Sequence, residues 1–437
     1  MTAPAREAGA RDFAGLWAAY AVSNLADGLV VITFPLIALT LTSSPGLVAG
    51  VKWAQTLPYV LCTLLIGVLI DRVERGRLIL AAHVLRVAAL VLLALAVAGD
   101  AAPLPALYAT AFLLGTAEIA ADLCTSSVLP MVVGRDRLDT ANSRLESTRS
   151  SLNEFVGPPL GGLLVAAGTT VAVLGTAGAY LVAAGALLLL FRGPYPPPRA
   201  ARDEPVLRSL RSELAEGLRF LWRHRLLRGV AGMVCVMAGA WSAWTAVLVL
   251  YAVAPGPMGL SGTGYGLLLT TLAVGGVLGS LAAGRVQRAI GVRNLLAVDV
   301  ITSVIMLATP ALTSQVWAVG AATLLGGVGS GLWNVTVVTL RQRLIPDALL
   351  GRVSSASRMI GWGGMPVGAA LAGLLAQVSG PRTVFALGAL ACALLLIPFL
   401  TVLREDTLRA ALAAADRAPE QDQPDQDQPD RDRPDQG

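Results

Sequence analysis

The chain has 437 residues, of which 55% are hydrophobic and 14% charged, with a mean hydropathy of +0.67. A soluble domain of this length would not tolerate so apolar a composition, so the bilayer is taken as its solvent. The net charge of +5 has no soluble basic domain to present it, which excludes a nucleic-acid partner. The sequence shows no Walker loop, metal-ligand spacing or nucleophile constellation, which argues against an enzyme, a cofactor or direct use of ATP.

Apolar stretches long enough for the hydrocarbon core fall at 13–42, 46–70, 78–99, 104–133, 141–168, 170–191, 226–253, 263–289, 292–313, 315–340, 353–379 and 383–403. They predict an all-α membrane protein of twelve transmembrane helices. Residues 1–12 carry two Arg and no apolar run of their own, so they are expected to be a cytoplasmic tail rather than a cleavable signal peptide. Helix one holds Asp27 near its middle, with Asn24 one turn earlier, and helix two carries a polar line of Lys52, Gln55 and Tyr59. The turn that follows reads GVLIDRVERGR, a short Asp/Arg cluster between two apolar spans. Helix four places Glu118 and Asp122 four residues apart on one face, and helix five holds Glu154 followed by Gly157-Pro158-Pro159-Leu160-Gly161-Gly162.

Residues 192–225 change character: a Pro-rich polar stretch precedes an amphipathic helix with Leu207, Leu210, Leu214, Leu218 and Leu221 on one face. That helix is expected either along the inner membrane surface or packed between domains. In the second half, Trp241 and Trp244 lie three apart in helix seven, Asp299 in helix nine, Asn334 beside Trp333 in helix ten, and Arg358 and Trp362 in helix eleven. The aromatic groups could stack on a planar or amphipathic cargo, although core and interfacial anchoring use the same residues. Residues 405–437 are an Asp/Gln/Pro repeat that cannot bury a core and are expected to be disordered. Cys62, Cys124, Cys235 and Cys392 all fall in apolar spans with no spacing for a metal or disulfides.

Of 33 basic residues one, Lys52, is a lysine, so orientation is read from arginine. The turns 71–77, 134–144, 192–228, 284–293 and 341–352 hold nearly all of it, whereas 42–46, 99–105 and 254–262 hold none. The positive-inside rule then makes the Arg-rich turns and both termini cytoplasmic, with Arg382 the external exception. High Arg and Ala with almost no Lys suggests a GC-rich bacterial genome and hence an inner-membrane location.

Charges at membrane depth survive by pairing or by lining water. Two readings stay open for Asp27, Glu118, Asp122 and Glu154. They can load and release protons in a cavity, with Glu118 and Asp122 the first choice, or they can form fixed salt bridges, Lys52 with Asp27 and Arg86 or Arg149 with the other acids.

The chain also repeats itself. GPPLGGLL starts at 157 and GAALAGLL at 368; GVLIDR starts at 67 and GSLAAGR at 279, so two independent pairs are offset by 368 − 157 = 211 and 279 − 67 = 212 residues. A first six-helix bundle over 13–191 and a second over 226–404 follow, with a site between them near the midplane.

At these residues the chain resembles the major facilitator superfamily over about residues 12 to 404. Gly67, Asp71, Arg72 and Arg75, with Arg77 beside them, are similar to its signature between helices two and three, with Glu74 and Gly76 departing from it. The second copy has lost its acid, with Gly284 before Arg285. The resemblance implies two pseudo-symmetric bundles and a cytoplasmic latch in which Asp71 faces the start of the helix near Gly351. Gly157, Pro158, Gly161 and Gly162 resemble the superfamily's antiporter motif, which implies export; small-residue packing alone is the competing account. SNLADG, LPYVLCTLLIGVLIDR and DRLDTANSRLESTRSSLNEFVGPPLGG are similar to the branch that includes macrolide-efflux and siderophore-efflux proteins. The expected function is a monomeric, proton-coupled exporter of a small molecule working by alternating access. Its cavity would be lined by Asp27, Lys52, Gln55, Glu118, Asp122, Glu154, Trp241, Trp244 and Asn334. An importer or lipid facilitator of the same fold, and a non-transporting membrane sensor, are the alternatives.

Overall fold

The computed structural model describes residues 3–70, 72–99, 104–134, 137–191, 193, 195, 206–345 and 347–403. Helix α1 runs Ala3–Leu41, so the expected tail is helical from Ala3 onward. The second apolar span comes in three pieces, α2 Pro45–Thr56, α3 Pro58–Leu61 and α4 Thr63–Ile70. Ser44 is extended ahead of Pro45, which sits at the first helical position where its missing N–H costs nothing. Pro58 then interrupts the backbone ladder at Leu57. Glu74 caps α5 (Arg75–Ala98): its carboxylate accepts from the N–H groups of Gly76 and Arg77, both at 3.1 Å.

Beyond α6 (Leu104–Val133), the fifth span is built from α7 (Leu138–Arg149), a π-helical turn over Ser150–Val156 and α8 (Gly157–Ala167). Then come α9 (Thr169–Leu190), the amphipathic α10 (Val206–Arg223) and α11 (Arg225–Ala252). The 51-residue α12 (Gly262–Leu312) holds two expected spans that turn at Gly291, whose φ of 79° suits glycine and few other residues. Helices α13 (Val316–Leu344), α14 (Asp347–Ser379), α15 (Pro381–Leu394) and α16 (Leu396–Val402) complete the order. Among the described residues nine helices are long and apolar enough to cross a bilayer. The 51-residue helix counts once among them, and the second and fifth spans, made of short pieces, do not enter that number.

Helices α1, α5, α6, α8 and α9 pack together in the first half, and α11 to α15 in the second. The halves meet where α2 lies against α14 and α8 against α12. Outward faces carry Leu92, Leu181, Leu281, Leu374 and Val378, all more than half exposed, as lipid contact requires. Helix α10 rests on α14, α11 and α4, so it is packed between the two halves, with Leu221 buried. The side chains of Leu207, Leu210, Leu214 and Arg358, most of the Pro-rich stretch, and residues 404–437 lie outside the described residues.

Close helix crossings depend on particular glycines. A Cβ on Gly157 would fall 2.6 Å from the Cα of Gly28, with backbone on both sides of the contact. Gly157→Val is therefore expected to lower the melting midpoint of the purified protein by about 5–10 °C, as overpacking that cannot relax does. Gly178→Ala, where a Cβ meets nothing within 4 Å, serves as the control; equal midpoints for the two variants would refute the crossing as a stability determinant.

Candidate transport site

The Arg-poor turns and the Arg-rich turns lie at opposite ends of the bundle, and the contacts between halves differ at the two ends. At the Arg-poor end the hydroxyl of Ser44 donates to Gln377 Oε1 at 2.7 Å, and the Gly46 N–H donates to the same oxygen at 3.2 Å. Gly162 of α8 backs onto Gly262 of α12 there. Further along, Tyr59 meets Trp362 edge-on, with ring centroids 5.1 Å apart, and the Thr270 hydroxyl donates to the Phe155 carbonyl at 3.5 Å. At the Arg-rich end a cavity of about 400 Å³ opens between the halves, lined by Glu146, Arg149, Glu154, Ser280, Ser330 and Asn334.

A Cβ on Gly46 would lie 3.9 Å from that of Gln377, within disulfide reach. In a variant with the four native cysteines replaced, the pair Gly46→Cys and Gln377→Cys is expected to close on oxidation, resist maleimide labelling and halt transport until reduced. Transport that continues through the oxidised pair would show that this end never opens.

Three charge clusters occupy the first half. In the first, Arg86, 1% exposed, lies 3.4 Å from Asp27 and donates to the Ser23 hydroxyl at 2.8 Å. Its guanidinium stands 4.7 Å from the Tyr180 ring centroid, while the Tyr180 hydroxyl donates to Asp27 at 2.5 Å. His83 stacks on the same ring at 6.4 Å. Arg86 in α5 thus pairs with Asp27, in place of the Lys52 expected there.

The second cluster surrounds Glu118, which is hydrogen-bonded to the Tyr59 hydroxyl. Arg86 and Lys52 are the cations within electrostatic range of it, and Asp27 and Asp122 the acids. The Lys52 ammonium also donates to Gln55 at 3.5 Å. In the third, Arg149 grips Glu154 at 2.7 Å and Glu146 at 2.8 Å, across the junction between α7 and the π turn. Asp27 and Glu154 are therefore each clamped by an arginine, whereas Glu118 is held by a phenol with Arg86 and Lys52 both within range.

Other expected positions fall elsewhere. Trp244 is 1% exposed in the main hydrophobic core and is not among the residues that line the cavity at the Arg-rich end. Trp241 donates its indole N–H to Ser303 at 3.2 Å. Asn334 is exposed in the Arg-rich-end cavity beside Glu154 rather than with Glu118. Arg75 is 7% exposed with its guanidinium 2.8 Å from Met131 Sδ, and Arg77 lies 3.4 Å from Glu74. Among the described residues both make these contacts within the first half. Arg72 is exposed, Gly67 has open space around its α-carbon, and Asp71 lies outside the described residues, as does the latch expected of it. Gly157, Pro158, Gly161 and Gly162 are buried and bring α8 against α1 and α12. The Tyr180 and Gln377 contacts were not singled out from sequence; a Tyr and a Gln in apolar helices are the only signal available.

Two helical halves with cavities between them at both ends, and charge clusters gathered in the first half, are the architecture of a transporter. The chain belongs to the major facilitator superfamily: the family model described as transmembrane secretion effector matches residues 2–431. It is 29% identical over 368 residues to the multidrug efflux pump Tap of Mycolicibacterium fortuitum, covering 82% of this chain and 88% of that one. It is 30% identical over 380 residues to the enterobactin exporter EntS of Citrobacter koseri, covering 84% and 86% respectively. Among solved structures, the nucleoside transporter NupG superposes with a TM-score of 0.71 at 12% identity, covering 90% of this chain and 99% of that one. A bacterial homologue of the iron transporter ferroportin, in an inward-facing state, gives 0.66 at 18% identity, covering 92% and 99%. These two share the fold.

Proposed function

We propose that the protein is a proton-driven exporter of an amphipathic small molecule, working as a monomer by alternating access in the bacterial inner membrane. The observation that carries this reading is Glu118: a carboxyl inside the first half, held by Tyr59, within range of Lys52 and Arg86, with Asp27 and Asp122 nearby. With the Arg-rich turns and both termini in the cytoplasm, as the positive-inside rule has it, the cavity at Glu154 and Asn334 faces inward and receives cargo from the cell. A proton reaching Glu118 cancels the negative charge opposite Lys52, which changes what the first half offers to cargo and to the second half. Cargo binding from the cytoplasm sends that proton inward; the Ser44 and Gly46 contacts with Gln377 then part, the opposite end opens, cargo leaves, and a proton taken up there from outside returns the protein to its first form, so a proton enters for each cargo that leaves. The names of the two relatives, a multidrug efflux pump and a siderophore exporter, support outward transport of drug-like or natural-product cargo.

The test is accumulation of lipophilic dyes and antibiotics in pump-deficient cells expressing the protein, with and without a protonophore. Lower accumulation that the protonophore abolishes is the expected result. Unchanged accumulation across the whole panel would remove the drug-type cargo, and a protonophore-insensitive decrease would remove the proton as driving ion.

A further inference from the structure

A second cavity, of about 650 Å³, lies between the halves at the Arg-poor end, beside the Ser44–Gln377 contact. Leu39, Thr42 and Pro45 line it from the first half, and Tyr251, Pro255 and Arg382 from the second. Its volume falls in the range of small-molecule sites, roughly 300–1,000 Å³, and its walls are mainly apolar.

Two observations on separate elements give it a chemical preference. Arg382 is exposed and makes no ion pair among the described residues; its guanidinium lies 5.9 Å from the Tyr251 ring centroid. It also occupies the second position of α15, just after Pro381, where the positive end of the helix dipole disfavours a cation unless an anion is near. Tyr251, in turn, is 1% exposed and its hydroxyl has no hydrogen-bond partner among the described residues, although it belongs to the wall of this cavity. A buried hydroxyl without a partner and a cation without a counterion both gain from an acceptor-rich anion.

We propose that this cavity binds a soluble anionic amphipath, an apolar body of drug size whose carboxylate or sulfonate pairs with Arg382 while its rings or chains rest on Leu39, Pro45 and Pro255. The cavity is then an exit vestibule where an anionic cargo pauses after release, or where the same compound outside competes with it. Only that role in transport rests on the export reading; the binding itself does not.

Binding is measured with anilinonaphthalene sulfonate on the purified full-length protein in phosphatidylcholine nanodiscs. Saturable binding is expected, weakened about tenfold by Arg382→Gln, retained by Arg382→Lys, and eroded by added salt. A cationic rhodamine should bind without regard to residue 382. Equal affinity in the wild type and Arg382→Gln, or loss in Arg382→Lys as great as in Arg382→Gln, would overturn the proposal. Phosphatidylglycerol added to the nanodiscs separates a soluble anion from a lipid headgroup: if it abolishes the part of binding that depends on Arg382, the occupant is lipid and the proposal falls. Arg382-dependent binding in a protein that exports nothing would uphold the site and sink the export reading, so the two fail separately.

Discussion

Glu118→Gln is expected to give a folded protein that lets cargo equilibrate but no longer moves it uphill. Gln keeps the volume of the side chain and an oxygen for the Tyr59 hydroxyl to bond, so the contact seen in the structure survives. What it loses is the ability to carry a proton and the charge that faces Lys52. Uphill export into proteoliposomes or from energised cells should fall at least about tenfold, while exchange of labelled for unlabelled cargo, which needs no net proton movement, continues. The pH dependence of that exchange should flatten as well. Full uphill export by the Gln variant would exclude Glu118 as the coupling residue and turn attention to Asp122 on the next turn of α6. A lowered melting midpoint with loss of both activities would make Glu118 structural instead.

The second large effect concerns Arg86. It is 1% exposed and balances Asp27 while donating to Ser23. Arg86→Met fills most of the space but strands the Asp27 carboxylate at membrane depth, which costs about 3–5 kcal/mol when a buried pair is broken from one side. Folded yield and melting midpoint should fall sharply. Adding Asp27→Asn removes the stranded charge, and the Asn amide can still accept from the Tyr180 hydroxyl, so the double variant should recover much of the loss. A double variant no better than Arg86→Met would mean that the Arg side chain stabilises through Tyr180 and Ser23 alone, without Asp27.

The large features of the fold were legible because membrane helices obey few rules: apolar length sets the spans, arginine placement separates the turns into two classes, and the 211- and 212-residue offsets reveal the duplication. The break at Leu57 was signalled by Pro58 and by the polar run Lys52, Gln55 and Thr56 before it, yet the span was read as continuous because its apolar flanks together reach a membrane length. The π turn over Ser150–Val156 left no trace in the pattern, because one extra residue per turn shifts a face without changing composition. The site was legible in part. Buried ionisable residues stand out against an apolar background, so Asp27, Lys52, Glu118 and Glu154 were all found. Arg149 was named among the candidate cations and pairs with Glu154, but the pairing of Asp27 was not legible, because it is a matter of depth and rotation: Asp27 turned to Arg86 in α5 rather than to Lys52 in α2. Trp244 and Trp241 could not be told apart by spacing, although one is core and the other half-buried, with its N–H on Ser303.

Lys52 has one further consequence. As the one lysine in 437 residues, it makes the ε-amine a unique address, and that address sits inside the helical bundle among Gln55, Tyr59 and Glu118. Acylating reagents that ordinarily decorate the surface of a protein have no surface lysine to find here. The rate at which a small amine-reactive compound modifies this side chain is therefore a direct clock for the wetting and opening of the interior, read by mass spectrometry on the native sequence without any engineered probe.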